Sequence, residues 1–420
     1  MAITITQQPN INDLLSPYRP LEIKATSNDS NIKKMKCFIE LDLLGTPDNA
    51  SSPLILDPDI GTTNEFTFDI SSYLGGVGTL TTTIQAENQT VSILDATANS
   101  LKVVRVNLTE VVLNPSTGQL QNGASSGNSN QFLIINGVWQ HTEVTGSYAE
   151  FDDYKLSTVT TEGKFLTNYR EARVIGTNDS EYISAVSVNN ATNYLKVNLY
   201  TKRNRRGSVS SFFYPLYFGV DRFDIPVGSR NINDTNGGWT NSAGTPVSDP
   251  DIDSSVGSYT VQVVDFISPF ATKLSERLTY NLDHTICEDE STRIKFLNRL
   301  GAFEYFTFKG YRDRSTIVRN QYYNRALDAS YSIHEGGDRV LASDVRTEFT
   351  VYSQAITEAQ RIWLEEMLDG HECFVLEDGN YIPIKIRAGK TQIIQEASEL
   401  FTIKMTYQYA NPIRRQHGGY

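Results

Sequence analysis

Four short stretches carry side chains at spacings that could do chemistry. Gly123-Ala-Ser125-Ser-Gly127 matches the G-x-S-x-G nucleophile pattern. That pattern works only where a buried strand turns sharply into a helix and lifts the serine above a sheet. Here a Ser/Gly/Asn tract surrounds it and the strand-like FLIINGVW follows, so the segment reads as a flexible loop. Asp249, Asp251, Asp253 and Ser255 alternate as the oxygen donors of a calcium loop do. Ser254 stands where the sharp turn needs glycine and Thr260 where a bidentate glutamate belongs, which excludes an EF-hand. A looser surface calcium site or a solvated acidic turn is left. His284-x-x-Cys287 and His371-x-Cys373 could together supply a Cys2His2 zinc site, but neither pair has finger spacing. Small buried cysteines beside exposed histidines are the simpler reading. Gly75-Gly76-Val77-Gly78 is followed by no Lys-Ser/Thr, so it cradles no phosphate. With no Ser/His/Asp set and no placed carboxylate pair, the chain is expected to be no enzyme and to use no cofactor.

Two basic stretches point to partners instead. Lys202, Arg203, Arg205 and Arg206 crowd a turn between two strand-like runs, a hairpin tip suited to phosphate, lipopolysaccharide or an acidic neighbour. The stretch Phe296–Arg314, FLNRLGAFEYFTFKGYRDR, mixes aromatics with Lys309, Tyr311, Arg312 and Arg314, and Arg319, Tyr322 and Tyr323 continue the theme. It echoes an RNA-binding pattern, but no βαββαβ frame surrounds it. A formal charge of −12 also opposes general nucleic-acid binding, which rests on neutralising phosphates. Phe296 and Leu297 are read as closing one strand, Asn298–Gly301 as a turn, and Phe303–Phe308 as the next strand. The Arg/Tyr segment that follows is then a subunit contact, since both residue types are enriched at interfaces.

The elements that must position these residues are mostly strands. A chain of 420 residues, 39% apolar and 20% charged, exceeds one ordinary core. Its Tyr, Phe, Thr, Val and Ile suit pleated surfaces. The expected fold is mainly β: tandem β-sandwich domains followed by a C-terminal β module carrying one α-helix. Residues 1–108 form an immunoglobulin- or fibronectin-like sandwich without an intersheet cysteine pair. Residues 109–283 form a second sandwich, with Gly228–Ser258 as a long polar surface excursion. Residues 284–420 form the module. There VRTEFTV places Arg346, Glu348 and Thr350 on a solvated face. Thr357 and Gln360 make a capping box for a helix near 358–369, whose buried face carries Ala359, Ile362, Trp363 and Met367 before Gly370 stops it. Asp378-Gly379 turns a hairpin. Three scattered cysteines, no leader-like N-terminus and no run of roughly 18–20 apolar residues predict a chain that is made in a cytoplasm and stays out of the bilayer.

On the stretches YRPLEI, FLNRLGAFEYFTF and LFTIKMTYQYANPIRRQ the chain resembles virion structural proteins of tailed bacteriophages, above all tail and tail-adjacent proteins of crAss-like phages. The likeness covers the start of the first domain and most of residues 284–420. It implies a ring-forming β module that oligomerises, often as a hexamer, around an axial channel. No residue inherits a role from it. The resulting expectation is a tail, distal-tail or connector-region assembly protein, located in the virion and partnered by its own copies and neighbouring virion proteins. The alternative is a receptor-binding or decoration protein that touches host glycan through surface loops.

Overall fold

The computed structural model describes the chain apart from residues 1–2, 12, 44–45, 49–53, 58, 60–63, 77–93, 96–100, 126–129, 136, 138–150, 157–161, 189–190, 203–209, 219–220, 234–237, 267–270, 287–290, 311, 325, 328, 333, 335, 371, 388–390, 398–399 and 411–420. It is mainly β, as the composition predicts. Two compact units result: one holds the chain up to Asp283 together with Asn298–Phe303, the other His284–Leu297 and the chain from Glu304 onward.

Strict alternation builds the start of the first unit. In Glu22–Ser27 every second side chain is buried, and the strand lies between Ile3–Gln7 and Glu65–Asp69. The second sheet contains Ile32–Leu43, Leu101–Leu113 and Phe132–Ile135. Ile23, Met35, Cys37, Phe66, Phe68, Val106 and Phe132 fill one core. The strand Leu101–Leu113 is continuous, so the expected boundary after residue 108 falls inside it. Glu110 hides that continuity in the sequence because it is a carboxylate in a core position. Ser27 Oγ and the Ala124 amide donate to it, which offsets part of the cost of burying it. Leu120–Ser125 is accordingly a strand laid on Leu101–Leu113, not a loop. Ser125 Oγ sits 3.2 Å from Thr109 Oγ1 on an exposed ribbon, without the strand-to-helix turn a nucleophile needs.

The remaining strands of the first unit make a second sandwich. One sheet contains Tyr182–Ser187 and Asp221–Pro226, the other Leu278–Asp283, Val256–Val264, Ala191–Thr201 and Ser210–Phe218. Here the expected surface excursion Gly228–Ser258 is partly anchored. Its polar residues at 242–246 and 253–255 are exposed as expected, but the segment is tied down: Ile232, Trp239 and Ile252 are buried among Ile225, Tyr259 and Val261. The Trp239 ring packs edge-on to Phe212 at 6.3 Å and tilts against Tyr214 at 5.2 Å, while Thr240 bridges Phe213. Three apolar residues spread through a polar tract have no period, so only the folded chain reveals their common destination. Gly228 permits the entry turn, because a Cβ there would lie 2.3 Å from the Glu181 amide nitrogen.

The second unit is one broad sheet. Its strands run in the order Phe303–Lys309, Ser291–Leu297, Cys373–Glu377, Asn380–Ile386, Leu400–Tyr409, Asp338–Tyr352 and Asp313–Asn324. The helix Glu358–Asp369 starts at the predicted capping box, with Thr357 accepting from the Gln360 amide and Gln360 accepting from the Thr357 amide. Trp363, Leu364 and Met367 are buried, and Trp363 donates to the Glu304 carboxylate while its ring meets Phe296 at 5.7 Å. Ile362, expected on that face, is 52% exposed. A buried stripe centred on 363, 364 and 367 leaves the preceding position on the solvent shoulder. Gly370 ends the helix in an extended conformation rather than a left-handed one. Glycine is needed there for space: a Cβ would stand 2.9 Å from the Leu297 carbonyl oxygen. Asp378 and Gly379, with φ of 49° and 74°, make the two-residue turn that Asp-Gly predicts. Glu348 is the other correction, because it is buried with Arg387 Nε at 3.5 Å rather than solvated.

Removing the Trp239 ring tests whether the 228–258 segment is structural. Trp239→Ala should destabilise the protein by about 3–5 kcal/mol, read as a lower urea midpoint. A change under about 0.5 kcal/mol would return the segment to the surface.

Candidate interaction surface

The residues of greatest functional interest lie where Asp313–Asn324 pairs with Asp338–Tyr352. The ladder runs from Asp313 opposite Thr350 to Asn324 opposite Asp338, with a bulge between Gln321 and Tyr322. Only Phe349–Tyr352 also pair with Leu400–Tyr409. The outer part of the hairpin is therefore a two-stranded ribbon, about 35 Å long at roughly 3.4 Å per residue. It is solvated on both faces, and we refer to it as the arm.

Directly opposed residues of an antiparallel pair share a face. One face carries Thr316 with Thr347, Val318 with Val345, Asn320 with Ser343 and Tyr322 with Val340. Tyr322 is 64% exposed, and Val318 and Val340 are more than half exposed. Ser343 donates to Asn320 Oδ1, and Asn320 in turn donates to the Tyr322 hydroxyl, fixing the middle of that face. The opposite face carries Ile317 with Arg346, Arg319 with Asp344, Gln321 with Ala342, and Tyr323 with Arg339. The first side is thus mainly apolar and hydroxylic, and the second mixes Arg319, Arg339 and Arg346 with Tyr323 and Asp344.

At the root, Arg312 clamps the arm to the sheet. Its guanidinium lies over the Phe349 ring at 4.5 Å, donates to the Glu377 carboxylate and reaches the Tyr407 hydroxyl at 3.2 Å. Tyr409 donates to the other Glu377 oxygen at 2.6 Å, and Phe349 stacks on Tyr407 with centroids 5.4 Å apart. Burial pulls the Arg312 pKa down, but Tyr407 and Glu377 outweigh it, so the guanidinium is held charged more firmly than usual. Burial pushes the Tyr407 phenol up to about 12, with Arg312 opposing. Burial and its hydrogen bond to Glu377 also raise Tyr409.

The predicted interaction residues therefore separate. Arg314, Arg319, Tyr322 and Tyr323 stand together on the exposed strand Asp313–Asn324. Arg312 belongs to the clamp, and Lys309 is half-buried with its pKa lowered by that burial. Arg312 is corrected from contact residue to anchor, because its charge is already matched within the chain. Lys202 is exposed, while Arg203, Arg205, Arg206 and Tyr311 lie outside the described residues. So do Cys287 and His371 of the zinc pairing. Cys373 is buried with its thiol pushed up to about 12, and it donates to the Met367 carbonyl. Among the described residues no group of three or more His, Cys, Asp or Glu is placed to hold a metal. Asp253 instead accepts from the Ser255 amide and hydroxyl in a tight local turn. Sequence reading missed Glu377, Tyr409, Val340 and Leu341. The available signal was an apolar set in 313–346 that never settles into one buried alternation.

No family model and no curated protein sequence matches the chain. Among solved structures it is similar to a crystal structure of CBD12 from CALX1.2, at 8% identity over 65% of this chain and 84% of that one, with a TM-score of 0.17. A marsupial T cell receptor matches at 6% identity over 98% and 94% of the two chains, with a TM-score of 0.20.

The clamp has a pH signature. A tyrosine whose folded pKa lies above its unfolded value of 10 stabilises the fold fully below pH 10. That contribution is lost as pH rises from 10 to about 12. The second unit should lose stability across this window, and Tyr407→Phe should flatten the loss. Thermal melts at stepped pH would show it, and an identical slope in the variant would contradict the assignment.

Proposed function

We propose that the chain is a structural component of a tailed-phage virion that builds a ring by self-association, the arm being the element that enters a neighbouring copy. The observation that carries this reading is the arm itself. A lone two-stranded ribbon is at best marginally stable in water. Here it exposes Val318, Tyr322, Val340 and Leu341 on a well-anchored root. Contiguous exposed apolar groups of this kind mark contact surfaces. The unpaired backbone edge of Asp313–Asn324 adds capacity for strand addition. The resemblance of the C-terminal stretches to tail proteins supplies the setting. The rival receptor-binding reading relied on Gly228–Ser258 and on the tip Lys202–Gly207; in the first of these Ile232, Trp239 and Ile252 are committed to the core.

The test is mass in solution followed by particle assembly. The purified chain should form a discrete oligomer by light scattering and a ring by negative-stain microscopy. Val318→Asp combined with Tyr322→Asp should reduce it to a monomer while leaving the melting of the sandwich unit unchanged. A wild-type chain that stays monomeric at every accessible concentration would overturn the reading.

A further inference from the structure

Three cations meet on the outer face of the second sandwich, in a chain whose net charge is −12. Along Ala191–Thr201, Leu195, Val197 and Leu199 enter the core, so Tyr194, Lys196 and Asn198 take the outer face. Directly opposed residues share that face. They are Ser211, Phe213 and Pro215 on one neighbouring strand, and Thr260, Gln262 and Val264 on the other. Arg277 immediately precedes Leu278, the partner of Val261, and so falls beside Gln262. Lys273 bridges Val264 in the next row.

Lys196 is half-buried, with its ammonium 5.6 Å from the centre of the Phe213 ring. Burial lowers its pKa, and the charges of Lys273 and Arg277 lower it further, so the three groups feel one another. Gln262 is nearly buried beside Lys196 and donates to the Ser275 carbonyl at 2.9 Å. Three carboxylates border the patch, and each is already engaged. Glu162 pairs with Lys273 at 3.0 Å. Glu276 takes Arg170 at 3.2 Å and the Phe165 amide at 3.0 Å. Asp265 accepts from the Thr272 amide at 2.8 Å. Lys196 and Arg277 make no ion pair among the described residues. Like charges around a desolvated lysine disfavour its charged form, and an anion held between them would relieve that repulsion.

We infer that Lys196, Arg277 and Lys273 form a binding site for a doubly charged oxyanion, a phosphate or sulfate group. The two uncompensated cations match its two charges. Lys196 supplies a point charge and Arg277 a planar fork of donors. Only Val256–Val264 separates the strands Ala191–Thr201 and Leu278–Asp283, which puts the two Cα atoms about 10 Å apart. Two long side chains can close on one tetrahedral group across that span. The Phe213 ring holds the lysine by cation–π attraction while its charge stays available. The site belongs to the sandwich unit and does not depend on self-association.

Calorimetric titration of the full chain tests it, with inorganic phosphate, inorganic sulfate and dextran sulfate as probes. Lys196→Met keeps the stem over Phe213 and removes the charge. It should weaken binding by about tenfold or more, as should Arg277→Gln. Lys36→Gln removes an exposed lysine whose partner is Asn122, on the first sandwich, and should leave binding within about twofold. Thermal melting checks that each variant is folded. Binding of the free ions identifies a free oxyanion as the ligand. Binding of dextran sulfate alone, lost in both site variants, identifies an ester group carried on a polymer. The assignment is overturned if no probe binds, if Lys196→Met and Arg277→Gln bind like the wild type, or if Lys36→Gln weakens binding as much as they do.

Discussion

The Arg312 guanidinium, stacked on Phe349 and bonded to Glu377, is the interaction on which the exposed half of the second unit depends. A ribbon with water on both faces gains little from burial, so its position must come from its base. At that base one cation joins three otherwise separate strands: it leaves Phe308, covers the strand that carries Phe349 and meets the strand that ends at Glu377. Tyr407 and Tyr409 complete the set from a fourth strand. Arginine suits this place because a planar cation can stack on a ring and donate along its edge at once. A lysine would keep the charge and lose the geometry.

The first unit uses buried charge differently. Arg173 pairs with Glu181 at 3.0 Å and also reaches Thr167, while Tyr280 donates to the same carboxylate. Arg222 bonds Asp224, Ser184 and the Gly301 carbonyl. Such networks add little net stability over apolar packing, yet breaking one partner leaves a stranded charge. Each network ties together segments that are distant in sequence. In the Arg222 case this includes the turn 298–303, which Asn298 also ties to the Leu166 carbonyl at 2.8 Å.

Local rules were legible where the physics is local. The capping box at Thr357, the Asp378-Gly379 turn and the alternation of Ile403, Met405 and Tyr407 each depend on residues close in sequence. Features set by distant partners were not. Glu110 and Glu348 look solvated until Ser27 and Arg387 are brought to them. Trp239 looks like loop until Phe212 and Tyr214 receive it. The arginine- and tyrosine-rich run after Phe308 was expected from its composition to be a contact segment, and the structure shows the strand Asp313–Asn324 to be exposed. Arg312 and Arg314 differ only by which one finds a carboxylate across the sheet, and sequence order carries no sign of that.

The bulge between Gln321 and Tyr322 bears on a different matter, the limits of growth. It leaves Leu341 without an opposite number, and a bulge there sharpens the twist of the ribbon towards its outer end. A flat open edge of this length would accept copy after copy in a continuous sheet, the route to fibres. A coiled edge offers only a short matching segment before the two backbones diverge. The irregularity therefore shortens the stretch of open edge that another strand could match in register.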